Sequence, residues 1–187
     1  MLQILLALDA NILLWIQDYL RNPVLDPVMK VITSLNNYGI IWIAIIVIML
    51  CFKKTRKTGI LCACALLLEL LMNDCFIKPL VARVRPYDAV EGLTRIIEKQ
   101  KDYSFPSGHT ASSFACAFII CRTQPKKYGI ASVVFASLIA FSRLYVGVHY
   151  PSDVIGGILL GIAAGLIVYG VYSLIVKKRK KKESRTI

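Results

Sequence analysis

SDVIGGILLGIAAGLIVYGVYSLIV, residues 152–176, carries no charged side chain after Asp153 and then meets KKRKKK at 177–182. A bilayer-crossing helix needs about 20 mostly apolar residues, and a run of cations at its end belongs at a headgroup surface. Working outward from this segment, four more stretches read the same way, at roughly 26–52, 58–77, 107–122 and 128–147. Composition agrees. Hydrophobic residues make up 57% of the chain and charged ones 18%, with a mean hydropathy of +0.63, against about 25% charged in an ordinary soluble domain. A soluble globule cannot hide that much apolar surface behind so little charge, and disordered chains are poor in these residues. The expected fold class is all-α: an integral membrane helical bundle of five or six transmembrane helices.

The segment 2–20 reads differently. At about 100° per residue, Gln3, Ala7, Ala10, Asn11, Gln17 and Asp18 share one arc. Leu5, Leu8, Ile12, Trp15, Ile16 and Tyr19 share the opposite one, with Asp9 as the exception. That pattern favours an amphipathic helix lying in the interface over a sixth span. Arg21-Asn22-Pro23 and Asp26-Pro27 separate it from the first span. The first basic residue is Arg21, so no positive region precedes the apolar run and the N-terminus does not read as a cleaved signal. The expected divisions are 1–25 for this helix, 26–176 for the membrane domain and 177–187 for a basic cytoplasmic tail.

The net charge of +12 is unevenly spread. If the spans alternate, one face collects Lys53, Lys54, Arg56, Lys57, Arg122, Lys126, Lys127, the six cations from Lys177 to Lys182, and Arg185, opposed by Glu183. The positive-inside rule makes that face cytoplasmic. These runs abut apolar segments, so they read as topology and contact with membrane lipids rather than as a nucleic-acid surface. Cys51, Cys62, Cys64, Cys75, Cys116 and Cys121 lie in or beside apolar stretches without a C-x-x-C pair, and are expected as buried apolar filler. Gly157, Gly161 and Gly165 form a small-xxx-small ridge, expected to pack within the bundle.

Three polar clusters then fall on the opposite, extracytoplasmic face. Lys78 to Pro86 opens the long connection 78–106, Pro106-Ser107-Gly108-His109 opens a span, and Ser142-Arg143 ends one, shortly before His149 and Asp153. Lys78, Arg85 and Arg143 are three cations, and guanidiniums fork onto phosphate oxygens. Ser107 and Gly108 at a helix start offer backbone N–H groups to an anion. His149 and Asp153, four residues apart, let the carboxylate orient the imidazole. Two histidines around an anion site suggest a nucleophile and an acid. Isolated span-end residues of these types often only snorkel to headgroups, and two His with an Asp could ligate zinc, but cations crowded around them favour an anion over a metal. Asp74, four residues before Lys78, is a candidate to orient it. Glu69 is expected to pair inside the bundle, and Arg83 to meet headgroups or solvent.

K-x6-R-P, P-S-G-H and S-R-x5-H-x3-D, in this order over residues 78–153, resemble the three signature motifs of the type 2 phosphatidic acid phosphatase superfamily. Many membrane members have six spans, and this chain reads as shorter at its N-terminal end by one. The resemblance implies a lipid phosphate or diphosphate hydrolase. His149 would be the nucleophile that forms a phosphohistidine, Asp153 its orienting acid, and His109 the general acid and then base. Lys78, Arg85, Ser107, Gly108 and Arg143 would hold the phosphate, with no metal and no cofactor. Undecaprenyl diphosphate leads among the implied substrates, followed by phosphatidylglycerol phosphate and phosphatidic acid. Phosphotransfer to a lipid or sugar hydroxyl is the alternative outcome of the same chemistry.

Overall fold

A computed structural model describes residues 2–183; Met1 and residues 184–187, which include Arg185 of the basic face, lie outside the described residues. The described residues form helices α1 (Leu2–Trp15), α2 (Leu25–Leu35), α3 (Ile40–Cys51), α4 (Arg56–Leu70), α5 (Lys78–Val81), α6 (Pro86–Ala89), α7 (Gly108–Thr123), α8 (Lys126–Tyr145) and α9 (Pro151–Glu183). π-helical turns continue α1 through Ile16–Leu20 and join α4 to α5 through Leu71–Ile77.

The bundle is built around α7, which packs against α9, α8 and α4. Its buried positions are mostly small, among them Ala111, Ser112, Ser113, Ala115, Cys116 and Ala117, so neighbouring backbones come close. The glycine ridge of α9 is the other half of that seam. A Cβ on Gly157 would fall 2.7 Å from the Ser107 carbonyl oxygen, one on Gly165 2.7 Å from the Phe118 ring, and one on Gly161 would strike the Ala111 carbonyl. The ridge therefore packs inside the bundle, as expected, and holds the start of α7 against the start of α9. Around the middle of α7, Trp42, Ile46, Leu61, Cys62, Ala65, Ile119 and Ile139 close the core. The Trp42 indole N–H donates to Ser113 Oγ at 2.9 Å, which removes the cost of burying it.

The expected first span, 26–52, is broken. α2 and α3 meet at a bend of 50°, where Tyr38 (φ 54°) and Gly39 (φ 71°) leave the right-handed region. Among the described residues, three stretches, Arg56–Ala89, α8 and α9, are long and apolar enough to cross a membrane, and the bent pair makes a fourth if it is one span. α7 is not among them. Its 16 residues rise only about 24 Å at 1.5 Å each, because Pro106 and Pro125 bound it in sequence.

One further expectation is modified. Only Cys62 and Cys116 are buried, whereas Cys51, Cys64, Cys75 and Cys121 face outward. In a bundle of apolar helices, outward positions are as apolar as inward ones, so composition does not mark burial. α9 also carries its helix through Lys177–Lys182 to Glu183, since Lys and Arg are good helix formers and suit a helix C-terminus. α1 and its π-helical continuation do turn Leu5, Leu8, Ile12, Trp15 and Tyr19 outward, but Ile16, expected on the same arc, is buried. The protein-facing line is Asp9, Leu13 and Ile16, all buried.

Candidate active site

The loop after α5 and the two helix starts at Gly108 and Pro151 bring the three motifs to one end of the bundle. Lys78, buried at the start of α5, donates to Asp102 Oδ2 at 2.5 Å and pairs with Asp74 at 2.8 Å. The Asp74 pairing matches the sequence expectation. A Cβ on Gly108 would lie 3.7 Å from the Lys78 ammonium, so the first and second motifs touch. Ser107, at the N-terminus of α7, donates its backbone N–H to the Asp153 carbonyl at 3.1 Å, which joins the second motif to the third.

Arg85 closes the circuit. It follows a short extended stretch after Ala82, whose φ of 47° reverses the chain out of α5. Its guanidinium donates to the Val148 carbonyl (2.9 Å), the Asp102 carbonyl (2.9 Å) and Asp102 Oδ1 (2.6 Å), and lies 3.2 Å from His149 Nε2. A guanidinium only donates, so Nε2 presents its lone pair there and the ring proton sits on Nδ1. Nδ1 faces Asp153 Oδ2 at 3.5 Å, a long contact for a hydrogen bond. Asp153, fully buried, is instead held by Ser104 Oγ (2.5 Å) and the Tyr150 N–H (2.9 Å). Burial is the largest influence on the His149 proton affinity; Arg85 and Arg143 add to it against the pull of Asp153, and the net effect pushes the imidazole down to about 3.

Arg143 is 1% exposed at the end of α8. Its Nη1 donates to Thr33 Oγ1 at 2.5 Å, while Nε has no partner. A buried guanidinium with no carboxylate on it and a free N–H is set up for an incoming anion. His109 lies on the far side, its Nε2 3.2 Å from Asn37 Oδ1. The amide oxygen accepts, so Nε2 carries the proton. Neighbouring Asn36 donates to the His109 carbonyl, Ser112 and Ser113. The last turn of α2 and the bend into α3 thus supply Thr33, Asn36 and Asn37 as supports for Arg143 and His109.

Every residue singled out from the motifs lies in or against this cluster, with His109 attached through Asn37 rather than to another motif residue. Besides the neutral supports Thr33, Asn36, Asn37 and Ser104, three charged participants were missed. Asp102 joins Lys78 to Arg85; burial would raise its carboxyl, but the hydrogen bonds and charges of Lys78 and Arg85 hold it at about 2. Its signal was an acid four residues before the P-S-G-H run, in a connection too long to be a plain turn. Arg83, expected at headgroups or solvent, is turned inward: it donates to Asp153 Oδ1 (2.6 Å), Asp9 Oδ2 (2.8 Å) and Ser152 Oγ (2.7 Å). Two buried carboxylates hold that guanidinium against the pull of the membrane surface. Asp9 is the third, an acid on an otherwise apolar helix flank. Glu69, buried, accepts from Asn73 at 3.2 Å and stays inside the bundle. Among the described residues, no three His, Cys, Asp or Glu side chains group as metal ligands do.

Similarity to known proteins runs along the same motifs. Residues 57–177 match the model of the PAP2 superfamily, the type 2 phosphatidic acid phosphatases. The undecaprenyl-diphosphatase of Sulfolobus acidocaldarius is 37% identical over 129 residues, 68% of this chain and 62% of that protein. The chain thus spans less than two thirds of that relative. The lipid A 4'-phosphatase of Porphyromonas gingivalis is 31% identical over 182 residues, 91% of this chain and 75% of that one. The transmembrane PAP2-type phosphatidylglycerolphosphate phosphatase from Bacillus subtilis superposes with a TM-score of 0.74 at 29% identity, covering 90% of this chain and 86% of its own. With its three motifs drawn to one end of a membrane-type bundle and relatives that are named lipid phosphatases, this chain belongs to the PAP2 superfamily.

Proposed function

We propose that the protein is a metal-independent lipid phosphate phosphatase, with undecaprenyl diphosphate as its first substrate and phosphatidylglycerol phosphate, lipid A phosphate and phosphatidic acid as the competing ones. The observation that carries this reading is the buried Arg143 guanidinium, without a carboxylate, in the same cluster as Lys78, Arg85 and a neutral His149. Such a site binds an anion and repels a metal cation. Undecaprenyl diphosphate stands first on the similarity to the Sulfolobus acidocaldarius protein.

In the reaction, His149 Nε2 attacks phosphorus in line as the bond to the leaving oxygen breaks, and His109 Nε2 gives that oxygen its proton. His109 then takes a proton from water as the water oxygen displaces His149 from phosphorus, which releases phosphate and restores both rings. Lys78, Arg85, Arg143 and the Ser107 and Gly108 helix start hold the equatorial oxygens, the largest part of catalysis for a phosphoryl group. Asp153 holds the ring and balances the positive charge that His149 gains on attack.

The chain sits in the cell membrane with five crossings: the bent α2–α3 pair, α4 with its continuation, the short shielded α7, α8 and α9. α1 lies in the interface, the site opens to the extracytoplasmic leaflet and the helical basic tail is cytoplasmic. The positive-inside distribution supports this orientation.

The test is phosphate release in excess EDTA from purified protein given undecaprenyl diphosphate, phosphatidylglycerol phosphate, lipid A phosphate, phosphatidate and a soluble phosphomonoester. Turnover of at least one lipid, inhibition by vanadate and loss of activity in His149→Ala are expected. Release of no inorganic phosphate, or near-normal activity in that variant, overturns the reading.

A further inference from the structure

Asp153 is the carboxylate that faces the His149 ring, yet its contact with that ring, at 3.5 Å, is the longest it makes. Oδ2 takes Ser104 Oγ and the Tyr150 N–H. Oδ1 is bound by Arg83 Nη1 at 2.6 Å. Rotation of the carboxylate, and with it the oxygen presented to His149, is therefore set in part by Arg83.

Arg83 is itself held from three directions. Its Nη2 pairs with Asp9 Oδ2 at 2.8 Å, its Nη1 reaches Ser152 Oγ at 2.7 Å, and its guanidinium lies over the Tyr150 ring, 3.8 Å from the centroid. Asp9 is 2% exposed and also accepts the Ser152 N–H at 3.0 Å and the Ser152 hydroxyl. Nothing in an amphipathic helix requires a carboxylate buried against the bundle. A buried charge persists only where it is paired.

Building on the phosphatase reading, we infer that Asp9 and Arg83 are positioning residues of the active site: α1 supplies a buried carboxylate that holds Arg83, and Arg83 sets the Asp153 carboxylate facing His149. The charge count explains why two acids share one guanidinium. Arg83 alone would cancel Asp153, leaving little negative charge for the imidazolium that forms when His149 is phosphorylated. With Asp9 present, the Asp9–Arg83–Asp153 group keeps one net negative charge beside the ring. The N-terminal helix is then part of the catalytic centre as well as an attachment to the membrane.

Asp9→Asn tests this, because the amide keeps the shape and an oxygen for the Ser152 N–H while removing the charge. In the purified full chain, kcat on a hydrolysed lipid phosphate should fall tenfold or more, while KM and the vanadate inhibition constant stay within threefold. Arg83→Lys, which keeps the charge, should retain several times the kcat of Arg83→Gln, and this pair decides the question if Asp9→Asn does not fold. An Asp9→Asn kcat within twofold of wild type, a vanadate constant that rises in step with the loss, or equal activities of the two Arg83 variants would overturn the inference alone. A wild-type protein that releases no phosphate would overturn the phosphatase reading and this inference with it.

Discussion

The two ends of this bundle carry the same residue types under opposite conditions. At one end Lys53, Lys54, Arg56, Lys57, Arg122, Lys126, Lys127 and the cations of the α9 terminus are all exposed. At the other, Lys78, Arg85 and Arg143 are at most 9% exposed, and Arg83 is turned inward between two acids. An exposed cation keeps its hydration and tolerates any neighbour, so its position is loosely specified and its effect is collective. A buried cation loses that hydration and persists only with partners at fixed distances. Lys78 and Arg85 have found Asp102, and Arg83 has found Asp9 and Asp153. Arg143 has only a threonine hydroxyl. The exposed set suits orientation in a membrane, and the buried set suits recognition of a particular anion.

The contrast is broken most directly at Arg143. Arg143→Ala should lower kcat by about 10²- to 10³-fold, the cost typical of losing one group that stabilises developing charge, and should weaken vanadate inhibition in parallel. A loss below fivefold would mean that this guanidinium is structural and that the buried end is not specialised for an anion.

A smaller effect is expected on acidification. The folded His149 sits at about 3, below an ordinary imidazole near 6.5. The unfolded chain therefore binds a proton that the folded chain refuses between those values, so the contribution of this ring to stability is intact above about pH 6.5 and is lost as pH drops toward 3. His149→Gln should lose less Tm than wild type between pH 7 and pH 4. No acid limb of kcat/KM in the range 5–8 should come from this ring. An equal loss of Tm in the two proteins would show that His149 is not held neutral.

The smallest effect belongs to the exposed end. Lys53→Gln with Lys54→Gln should leave turnover within twofold, since charges exposed to water and more than a Debye length from the site are largely screened. A larger loss of turnover would show that exposed and buried cations are coupled across the bundle.

Much of the site was legible in the sequence. Lys78, Arg85, Ser107, Gly108, His109, Arg143, His149 and Asp153 were identifiable because each stands near the end of an apolar run, where a polar side chain needs a reason. Asp74 followed from helical spacing. Asp102, Arg83 and Asp9 were not readable in this way. An acid in a long loop, a basic residue between motif positions and an acid on a helix flank all have ordinary explanations, and spacing along the chain does not reveal which opposite charge folds back to meet them. The break between α2 and α3 was hidden for a related reason. Asn36, Asn37 and Gly39 interrupt an apolar pattern only briefly, and the use of the two asparagines as supports for His109 depends on α7 lying beside them.

The chain alone determined the features that one-dimensional hydrophobicity and charge encode: a helical membrane bundle, its basic face and the residue types of a candidate anion site. Burial in a bilayer depends on the transfer energy of whole segments, which composition records. The tertiary structure decided which ions pair, that α7 is short and central, that the first span bends, and that the N-terminal helix reaches the Asp153 carboxylate through Arg83. Those outcomes turn on contacts of about 3 Å between residues as far apart in sequence as Asp9 and Ser152. Electrostatic pairing in a low-dielectric interior is settled at that range, and sequence periodicity is blind to it.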